Sequence, residues 1–330
     1  MPALERHWYR LTPVSLLLLP LSLVFCALVQ LRRALYRLGL LRQTRLPVPV
    51  IVVGNITVGG TGKTPLVIWL ADILRQAGYR PGIVTRGYRG KSQTWPVAVT
   101  PQTSVEQVGD EAVLLARRSG CPVLAGPNRV AAAQRQIAEG CNVIVSDDGM
   151  QHYRLHRDLE IAVIDSARRF GNRLCLPAGP LREPVSRLKS VSVRVANGLP
   201  ETGELGMVLV PTGFYSLANP EQRASPDQFR SGPVHAVAGI GNPERFFSSL
   251  RGLGLDVIAH PFPDHHAFQA AELEFDDNRP IILTEKDAVK CESFANAQYW
   301  VLAVEARPDA SLGEQILQRL KETIRGQEAA

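Results

Sequence analysis

A glycine-rich segment that ends in Gly-Lys-Thr is the clearest chemical signal in the sequence. Glycines let backbone N–H groups converge on phosphate oxygens, because no Cβ blocks the approach. Lys63 is placed to reach the β- and γ-phosphates, and the Thr64 hydroxyl is suited to Mg²⁺. The general P-loop pattern has glycine where Thr57 stands, and Gly59 and Gly60 supply the flexibility instead. The residues predicted to bind a nucleotide are Thr57, Val58, Gly59, Gly60, Thr61, Gly62, Lys63 and Thr64.

Two acidic pairs could serve the same phosphates. Asp147 and Asp148 follow an apolar strand at 142–146, which is the Walker B arrangement beside a P-loop, although Asp-Asp-Gly is also good turn chemistry. Asp110 and Glu111 lie in a predicted helix at 104–120 and point about 100° apart. From the residues alone, a solvated acidic face is the simpler interpretation of the second pair.

The elements around these residues predict an α/β fold. A buried strand at 47–54 precedes the glycine loop, and a helix at 66–78 follows it, which is the P-loop context. Further strands are predicted at 158–165, 234–238 and 280–283, with an amphipathic helix at 312–324. The sequence Gly239-Ile240-Gly241 lacks the full dinucleotide fingerprint, so a structural turn between strand and helix is the favoured interpretation.

Composition limits the class of protein. With 330 residues, 45% of them hydrophobic and 21% charged, the chain is long enough for two domains and too apolar to be disordered. The first 50 residues contain seven arginines and one glutamate, and thus carry the whole net charge of +6. A neutral remainder argues against a nucleic-acid-binding body. Five widely spaced cysteines without a Cys-x-x-Cys pair favour reduced core residues over disulfides or zinc ligands.

The basic N-terminal region contains an uncharged apolar stretch at 11–31. About 20 apolar residues suffice to cross a bilayer core, and Pro20 is expected to kink the helix in mid-span. A signal peptide fits less well, because no small-x-small cleavage site follows, and a core helix would normally show a polar stripe. We predict an uncleaved membrane anchor with the main body in the cytosol, since arginines flank the stretch.

A P-loop can serve a GTPase, a motor ATPase or a small-molecule kinase. Guanine recognition needs Asn/Thr-Lys-x-Asp, and in the nearest stretch, 284–287, the lysine is displaced by one position. A helix start at Thr284 is the simpler interpretation. The residues leave two alternatives to a kinase: a membrane-tethered ATPase or GTPase acting on a protein partner, and a binding module with a degenerate loop.

A set of motifs in a fixed order narrows these choices. The motifs occupy residues 58–65, 85–88, 109–111, 147–152, 177–184, 262–266 and 284–290. Together they resemble the tetraacyldisaccharide 4′-kinase family, the lipid A kinases of Gram-negative bacteria, from the N-terminal anchor to about residue 300. Each motif is modest alone, but the ordered set is highly specific.

The resemblance implies an activity and an architecture. It implies transfer of the γ-phosphate of ATP, with Mg²⁺, to the 4′-hydroxyl of tetraacyldisaccharide 1-phosphate, forming lipid IVA at the cytoplasmic face of the inner membrane. Neither a nucleic acid nor a protein partner is expected. The expected fold is an anchor and basic collar at 1–46, a P-loop NTPase-like three-layer α/β/α kinase domain at 47–205, and a smaller α/β domain at 206–330 that closes over the site.

The resemblance also assigns roles to residues. Asp110 is the expected catalytic base, paired with a histidine that falls at His265, with His266 less secure. A positioned carboxylate is needed because a sugar hydroxyl is a poor nucleophile. The remaining assignments are Lys63 for catalysis, Thr64, Glu111, Asp147, Asp148 and Gln151 for the metal or its water shell, and Arg86 and Arg182 for substrate or phosphate.

Overall fold

The computed structural model of the protein describes residues 2–328. The α-helices are α1 (Pro2–Glu5), α2 (Pro13–Leu17), α3 (Leu19–Arg37), α4 (Lys63–Gln76), α5 (Val105–Val108), α6 (Asp110–Arg118), α7 (Arg129–Ala138), α8 (Pro243–Gly252), α9 (Glu285–Cys291) and α10 (Ala310–Glu328). The strands are β1 (Val50–Gly54), β2 (Pro81–Thr85), β3 (Val97–Val99), β4 (Val123–Ala125), β5 (Val143–Asp147), β6 (Leu159–Asp165), β7 (Val193–Asn197), β8 (Leu205–Ser216), β9 (Arg223–Ala224), β10 (Val234–Ala238), β11 (Val257–Pro261), β12 (Ile281–Thr284) and β13 (Tyr299–Pro308).

The strands form one mixed sheet in the order β11-β10-β12-β13-β8-β7-β6-β1-β5-β2-β4-β3, with β9 paired to β8. β1 lies parallel between β5 and β6, so the chain that follows each of these strands leaves the sheet at the same edge. β8 is parallel to β7 and antiparallel to β13, and it joins the two halves of the sheet. The α/β fold class is confirmed, while the predicted domain boundary at 205/206 stays a prediction.

Apolar side chains pack on both faces of the sheet. One face of the N-terminal half is covered by α4, α6 and α10, whose residues Leu70, Leu115 and Leu320 are fully or nearly fully buried in one cluster. A second cluster fills the opposite face under α7 and the loops around 175–190. The C-terminal half has its own clusters on its two faces. The predicted C-terminal amphipathic helix is therefore confirmed, and it packs on the N-terminal half of the sheet.

The predicted helix at 104–120 is broken into α5 and α6. Ser104 caps the first piece, because its side chain accepts a hydrogen bond from Glu106 N at 3.2 Å. Gly109 then takes φ +87°, a left-handed conformation that interrupts the helix. A Cβ at this position would also collide with the carbonyl oxygen of Tyr88. The break places Asp110 in the first turn of a new helix and not on a continuous helical face.

The N-terminal apolar stretch also differs from the expectation. The helix over this stretch is interrupted at Leu18, two residues before the proline that was expected to kink it, and Pro20 itself lies in the first turn of α3. Proline costs little in a first turn, because its missing N–H has no intrahelical partner there. α3 continues to Arg37 and is long and apolar enough to cross a membrane by length and composition. The five cysteines are free, as the sequence predicts.

Candidate active site

The glycine loop lies between β1 and α4, at the edge of the sheet where the parallel strands end. Gly59 and Gly62 take φ +99° and +91°, which favour glycine. A side chain on Gly62 would collide with Asn197, whose amide donates to Thr61 O at 3.0 Å. The loop is therefore shaped by its glycines and held from behind by a residue at the end of β7.

The proline-rich segment after residue 174 supports the other side of the loop. Val58 N donates to Pro180 O at 2.8 Å, and Arg182 N donates to Ile56 O at 2.7 Å. The Arg182 guanidinium extends to Asp148 Oδ2 at 2.8 Å. Arg182, predicted to contact substrate or phosphate, thus lies beside the P-loop and the second carboxylate of the Walker B turn.

Lys63 points from the start of α4 toward the acidic turn after β5. Its ammonium donates to Asn55 Oδ1 at 3.3 Å and lies 3.5 Å from Asp148 Oδ1. Burial alone would raise the pKa of Asp148, but the charges of Lys63 and Arg182 hold it well below its ordinary value. Asp148 is therefore an ionised carboxylate next to the lysine that the sequence assigns to phosphate.

Asp147 has the opposite electrostatic setting. Complete burial, with Glu111 and Asp148 nearby, raises the pKa of Asp147 above its ordinary value. Behind it, the buried guanidinium of Arg129 donates to the carbonyl oxygens of Asp147 and Asp148, at 3.1 and 2.9 Å, and fixes the turn. A carboxylate of this kind is suited to a cation that compensates its charge.

The residues present fit a magnesium ion. Oδ1 of Asp147 and Oδ1 of Asp148 are buried without a hydrogen-bond partner among the described residues. The Gln151 amide nitrogen donates to Asn55 O and Glu183 Oε1, at 3.1 and 2.8 Å, which leaves the amide oxygen free to accept. Within residues 2–328 no cluster of three or more His, Cys, Asp or Glu side chains could hold a metal alone. Mg²⁺ commonly takes one or two carboxylates and completes its shell with water and phosphate.

Asp110 and His265 meet although 155 residues separate them. His265 Nδ1 lies 3.1 and 3.0 Å from the two carboxylate oxygens of Asp110. His265 takes φ +59°, a strained conformation for histidine, and its backbone is held by Gly239 O and the Arg89 side chain. Both side chains are largely buried, so the solvated acidic face that the residues alone favoured is wrong for Asp110.

The charges around Asp110 keep it ionised. Burial alone would raise the pKa of Asp110, but the hydrogen bond from His265 and the ammonium of Lys286 lower it to about 2. Lys290 is also near, with its ammonium 3.9 Å from Asp110 Oδ2. The carboxylate is therefore free to accept a proton throughout the physiological pH range.

The remaining predicted site residues lie in different surroundings. His266 points away from Asp110 and pairs with Glu272 at 2.9 Å, so His265 is the member of the pair that contacts Asp110. Arg86 follows β2 at the same edge, is exposed, and makes no hydrogen bond to another described residue. Glu111 accepts a hydrogen bond from Lys286 at 3.0 Å, so its carboxylate already has a cationic partner.

Lys286 and Lys290 are site residues that the sequence reasoning missed. The stretch 284–287 was interpreted as a helix start, and this is confirmed, since Thr284 Oγ1 accepts from Asp287 N at 3.1 Å and caps α9. Lys290 lies one helical turn after Lys286, so both ammonium groups are on one face of the helix. This spacing is the feature of the sequence that could have identified the two lysines as site residues. Both ammonium groups are paired with acidic side chains, which is a second argument against guanine recognition by this stretch.

The C-terminal half contacts the P-loop and the end of β6. The backbone of Gly241 packs on the backbone of Gly60, and a side chain at Gly241 would collide with it. Arg245 of α8 pairs with Asp165, at the end of β6, at 3.1 Å. The Gly-x-Gly turn is thus a structural turn between β10 and α8, as predicted, and it also packs against the glycine loop.

A cavity of about 730 Å³ opens beside this contact. Its walls come from the ends of β6 and β7 and the chain after them, from α8 and the turn before it, and from β8, β12 and β13. The lining residues include Ser166, Asn197, Leu199, Ile240 and Phe246. This volume is within the range of small-molecule sites. A larger cavity, about 1510 Å³, reaches Asp110 and His265 from the side of α6 and α9.

Comparisons with known proteins identify relatives of the chain. The family model described as tetraacyldisaccharide-1-P 4′-kinase (LpxK) matches residues 14–321. The tetraacyldisaccharide 4′-kinase of Nitrosococcus oceani is 52% identical over 321 residues, which cover 97% of this chain and 95% of the relative. That of Alkalilimnicola ehrlichii is 53% identical over 324 residues, covering 96% of each. The crystal structure of LpxK from Aquifex aeolicus in complex with ATP has a TM-score of 0.78 and 28% identity, covering 93% of this chain and 99% of that one.

Proposed function

The chain belongs to the tetraacyldisaccharide 4′-kinase family, and from that premise we propose how its residues carry out the reaction. The protein is an ATP-dependent phosphotransferase that acts on the 4′-hydroxyl of tetraacyldisaccharide 1-phosphate, a lipid A precursor. The observation that carries the residue assignment is the contact of Asp110 with His265 at the sheet edge that also presents Lys63. A base for a hydroxyl and a cradle for a triphosphate are the two parts that such a kinase needs.

The loop at 57–64 binds the triphosphate of ATP. Backbone N–H groups and the positive end of α4 face the phosphates, and the Lys63 ammonium neutralises charge that builds on the transferred group. Thr64, Asp147, Asp148 and Gln151 would hold Mg²⁺, which would neutralise negative charge on the phosphates. Asp147 Oδ1, which is buried without a hydrogen-bond partner among the described residues, supports this part of the proposal. Glu111 fits a role in orienting Lys286 better than direct metal ligation.

Asp110 activates the acceptor. Its carboxylate takes the proton of the 4′-hydroxyl as that oxygen bonds to the γ-phosphorus and the bond to the β,γ-bridging oxygen breaks, releasing ADP. The proton on Asp110 then passes to solvent, for which the cavity of about 1510 Å³ beside the carboxylate gives a route. His265 holds the carboxylate in place through its ring N–H. Arg182 and Arg86 are placed to contact phosphate groups of the nucleotide or the lipid.

The nucleoside of ATP occupies the cavity of about 730 Å³. In P-loop proteins with a parallel sheet, ligands bind outside the carboxyl ends of the strands, and this cavity opens at the ends of β6 and β7. Leu199, Ile240 and Phe246 offer apolar surface to a base. The C-terminal half contributes Ile240 and Phe246, so nucleotide binding and closure of the two halves are coupled.

The α3 helix attaches the protein to the membrane, and it lies along the body. Ser22 Oγ donates to Cys175 O at 2.6 Å, and Arg33 reaches Ser190 at 2.5 Å. These contacts are eleven residues apart, so the helix follows the body for about 16 Å. The opposite face exposes Leu21, Leu28 and Leu31, each with more than half of its surface accessible. We therefore place α3 in the surface of the bilayer, parallel to it, and not across it.

This placement brings the kinase to its substrate. Each buried CH₂ of an acyl chain contributes about 0.8 kcal/mol to membrane binding, so a tetraacylated sugar stays in the bilayer. The arginines of the N-terminal segment suit an anionic surface. Because ATP is supplied in the cytosol, we assign the enzyme to the cytoplasmic face of the inner membrane.

A transfer assay tests the assignment. The full chain in mixed micelles is incubated with Mg²⁺, ATP labelled at the γ-phosphate and tetraacyldisaccharide 1-phosphate. We expect label in the lipid, dependent on the disaccharide and lost in Lys63→Met. Label found only as free phosphate, at a rate indifferent to the lipid, contradicts the kinase and supports an ATPase.

A further inference from the structure

We propose that Lys286 is a positioning residue that fixes the tautomer and orientation of His265, and thereby the geometry of the catalytic base. The inference rests on the proposed kinase function and concerns the same site. It arises from an ammonium group that touches three members of the cluster around the Asp110–His265 pair. Lys286 Nζ lies 3.0 Å from Glu111 Oε1, 3.3 Å from Asp264 Oδ1 and 3.3 Å from His265 Nε2.

The contacts of the two ring nitrogens determine which one carries the proton. An ammonium group has donors and no acceptor, so the contact with Lys286 requires a lone pair on Nε2 of His265. An ionised carboxylate only accepts, so the contact with Asp110 requires the proton on Nδ1. Lys286 and Asp110 therefore select the same tautomer from opposite sides of the ring. With the reverse tautomer, both contacts would be lost.

The position of Lys286 is itself fixed by charge. Its side chain is mostly buried, and the carboxylates of Glu111 and Asp264 hold two of its three protons. Burial alone would lower its pKa, but these carboxylates and Asp110 raise it above the ordinary value, so the group stays a cation. Only the third proton remains for His265. The Lys286 ammonium, held in this way, is a permanent hydrogen-bond donor to Nε2 of His265.

The two lysines of α9 have different roles. Lys290 bonds to Asp287 at 2.5 Å, and Asp287 accepts from the backbone of Gly239, the residue whose carbonyl receives His265 N. Lys290 therefore supports the loop that carries His265 and does not contact its ring among the described residues. Lys286 alone of the pair contacts the imidazole.

The tautomer can be measured without any assay of activity. The full chain, labelled with ¹⁵N in its seven histidines, is studied in detergent micelles with ADP at about pH 8, where long-range ¹H–¹⁵N correlations separate the two tautomers. His265→Asn assigns the signal. We expect the Nδ1–H form in the unaltered protein and a mixture of forms in Lys286→Met. A Nε2–H form in the unaltered protein overturns the proposal, whatever the variant does.

Kinetics test the consequence for catalysis. Lys286→Met keeps the length of the side chain and removes its donors, and we expect kcat to fall about 10- to 100-fold with KM for ATP changed less than about twofold, as for other residues that orient a reacting group. Lys286→Arg should recover part of the loss. In a His265→Asn background the same substitution should cost less than about twofold, because the ring it orients is gone.

A structural role predicts otherwise. If Lys286 only stabilised the fold, the kcat losses of Lys286→Met and His265→Asn would multiply in the double variant. The urea midpoint would also fall in proportion to the loss of kcat. Unchanged kcat in Lys286→Met, or a full further loss in the His265→Asn background, overturns the proposal. Lys321→Met, on the exposed face of α10, is the matched control. If the proposed kinase function is wrong, the unaltered protein will not phosphorylate the lipid. If only the role of Lys286 is wrong, the unaltered protein will be active and Lys286→Met will have the same kcat.

Discussion

Removing the charge of Asp110 tests the reaction chemistry most informatively. Asp110→Asn preserves the size and the planar shape of the side chain. It replaces an acceptor by an amide that cannot take the hydroxyl proton. The backbone N–H of Glu111, which donates to Asp110 Oδ1 at 2.8 Å, can still bond to the amide oxygen. The local fold should therefore survive while the base is lost.

The expected loss of kcat in Asp110→Asn follows from the role of Asp110 as a general base. General base catalysis contributes about 10²- to 10⁴-fold, which corresponds to a barrier higher by about 3–5 kcal/mol. We expect the upper part of this range, because the substitution also disturbs the hydrogen bond with His265 Nδ1–H. The affinity for ATP should change less than about threefold, since the phosphates are bound by the loop at 57–64 and not by Asp110.

Three measurements decide the outcome. Phosphate transfer to the lipid gives kcat, calorimetry gives the dissociation constant for ATP with Mg²⁺, and urea unfolding checks the fold. Asp227→Asn, at an exposed carboxylate, is the control and should behave as the unaltered protein. The reasoning is refuted if Asp110→Asn keeps more than about a tenth of the activity, or if the loss is confined to ATP affinity.

Other parts of the structure give further predictions. Lys63→Met should lower kcat by at least about 10³-fold, because the ammonium meets charge that develops on the transferred phosphate; near-normal kcat would remove the phosphate role. Leu21→Asn with Leu28→Asn should weaken binding to anionic vesicles at least about tenfold, since both side chains face outward; unchanged sedimentation would mean that α3 is not the main tether. Burial and neighbouring arginines lower the pKa of His152 to about 4. In the unfolded chain His152 thus binds a proton near pH 6.5, whereas in the folded protein it stays neutral until about pH 4. The free energy of unfolding therefore falls as pH drops from about 6.5 toward 4. His152→Gln should lose less stability than the unaltered protein between about pH 7.5 and pH 5, as urea midpoints would show, and equal losses would contradict the shift.

Local patterns in the sequence were sufficient for the P-loop half of the fold. The buried strand, the glycine loop and the following helix were predicted within a few residues, and Thr284 was correctly interpreted as a helix cap. These features depend on periodicity and on side chains that act on near neighbours. The helix break at Gly109 was missed, because a lone glycine inside a helical pattern gives no indication of a left-handed φ.

Long-range contacts set the limit of prediction. The pairing of Asp110 with His265 came from the resemblance, since 155 residues of intervening chain leave the contact undetermined by spacing. Lys286 was not singled out, because its partners Glu111 and His265 come from different elements. Similarly, the orientation of α3 depends on contacts of Ser22 and Arg33 with distant loops, and its apolar composition alone suggested a helix that crosses the membrane.

The most direct test of the central claim is the position of the new phosphate in the product. Lipid formed by the full chain from ATP, Mg²⁺ and tetraacyldisaccharide 1-phosphate is purified, and its phosphorus signals are correlated with the sugar protons by ³¹P–¹H spectroscopy. The proposed mechanism predicts one new phosphomonoester, coupled to the proton at the 4′ carbon, with the 1-phosphate intact. A phosphate at any other carbon, a diphosphate at position 1, or no phosphorylated lipid would contradict it.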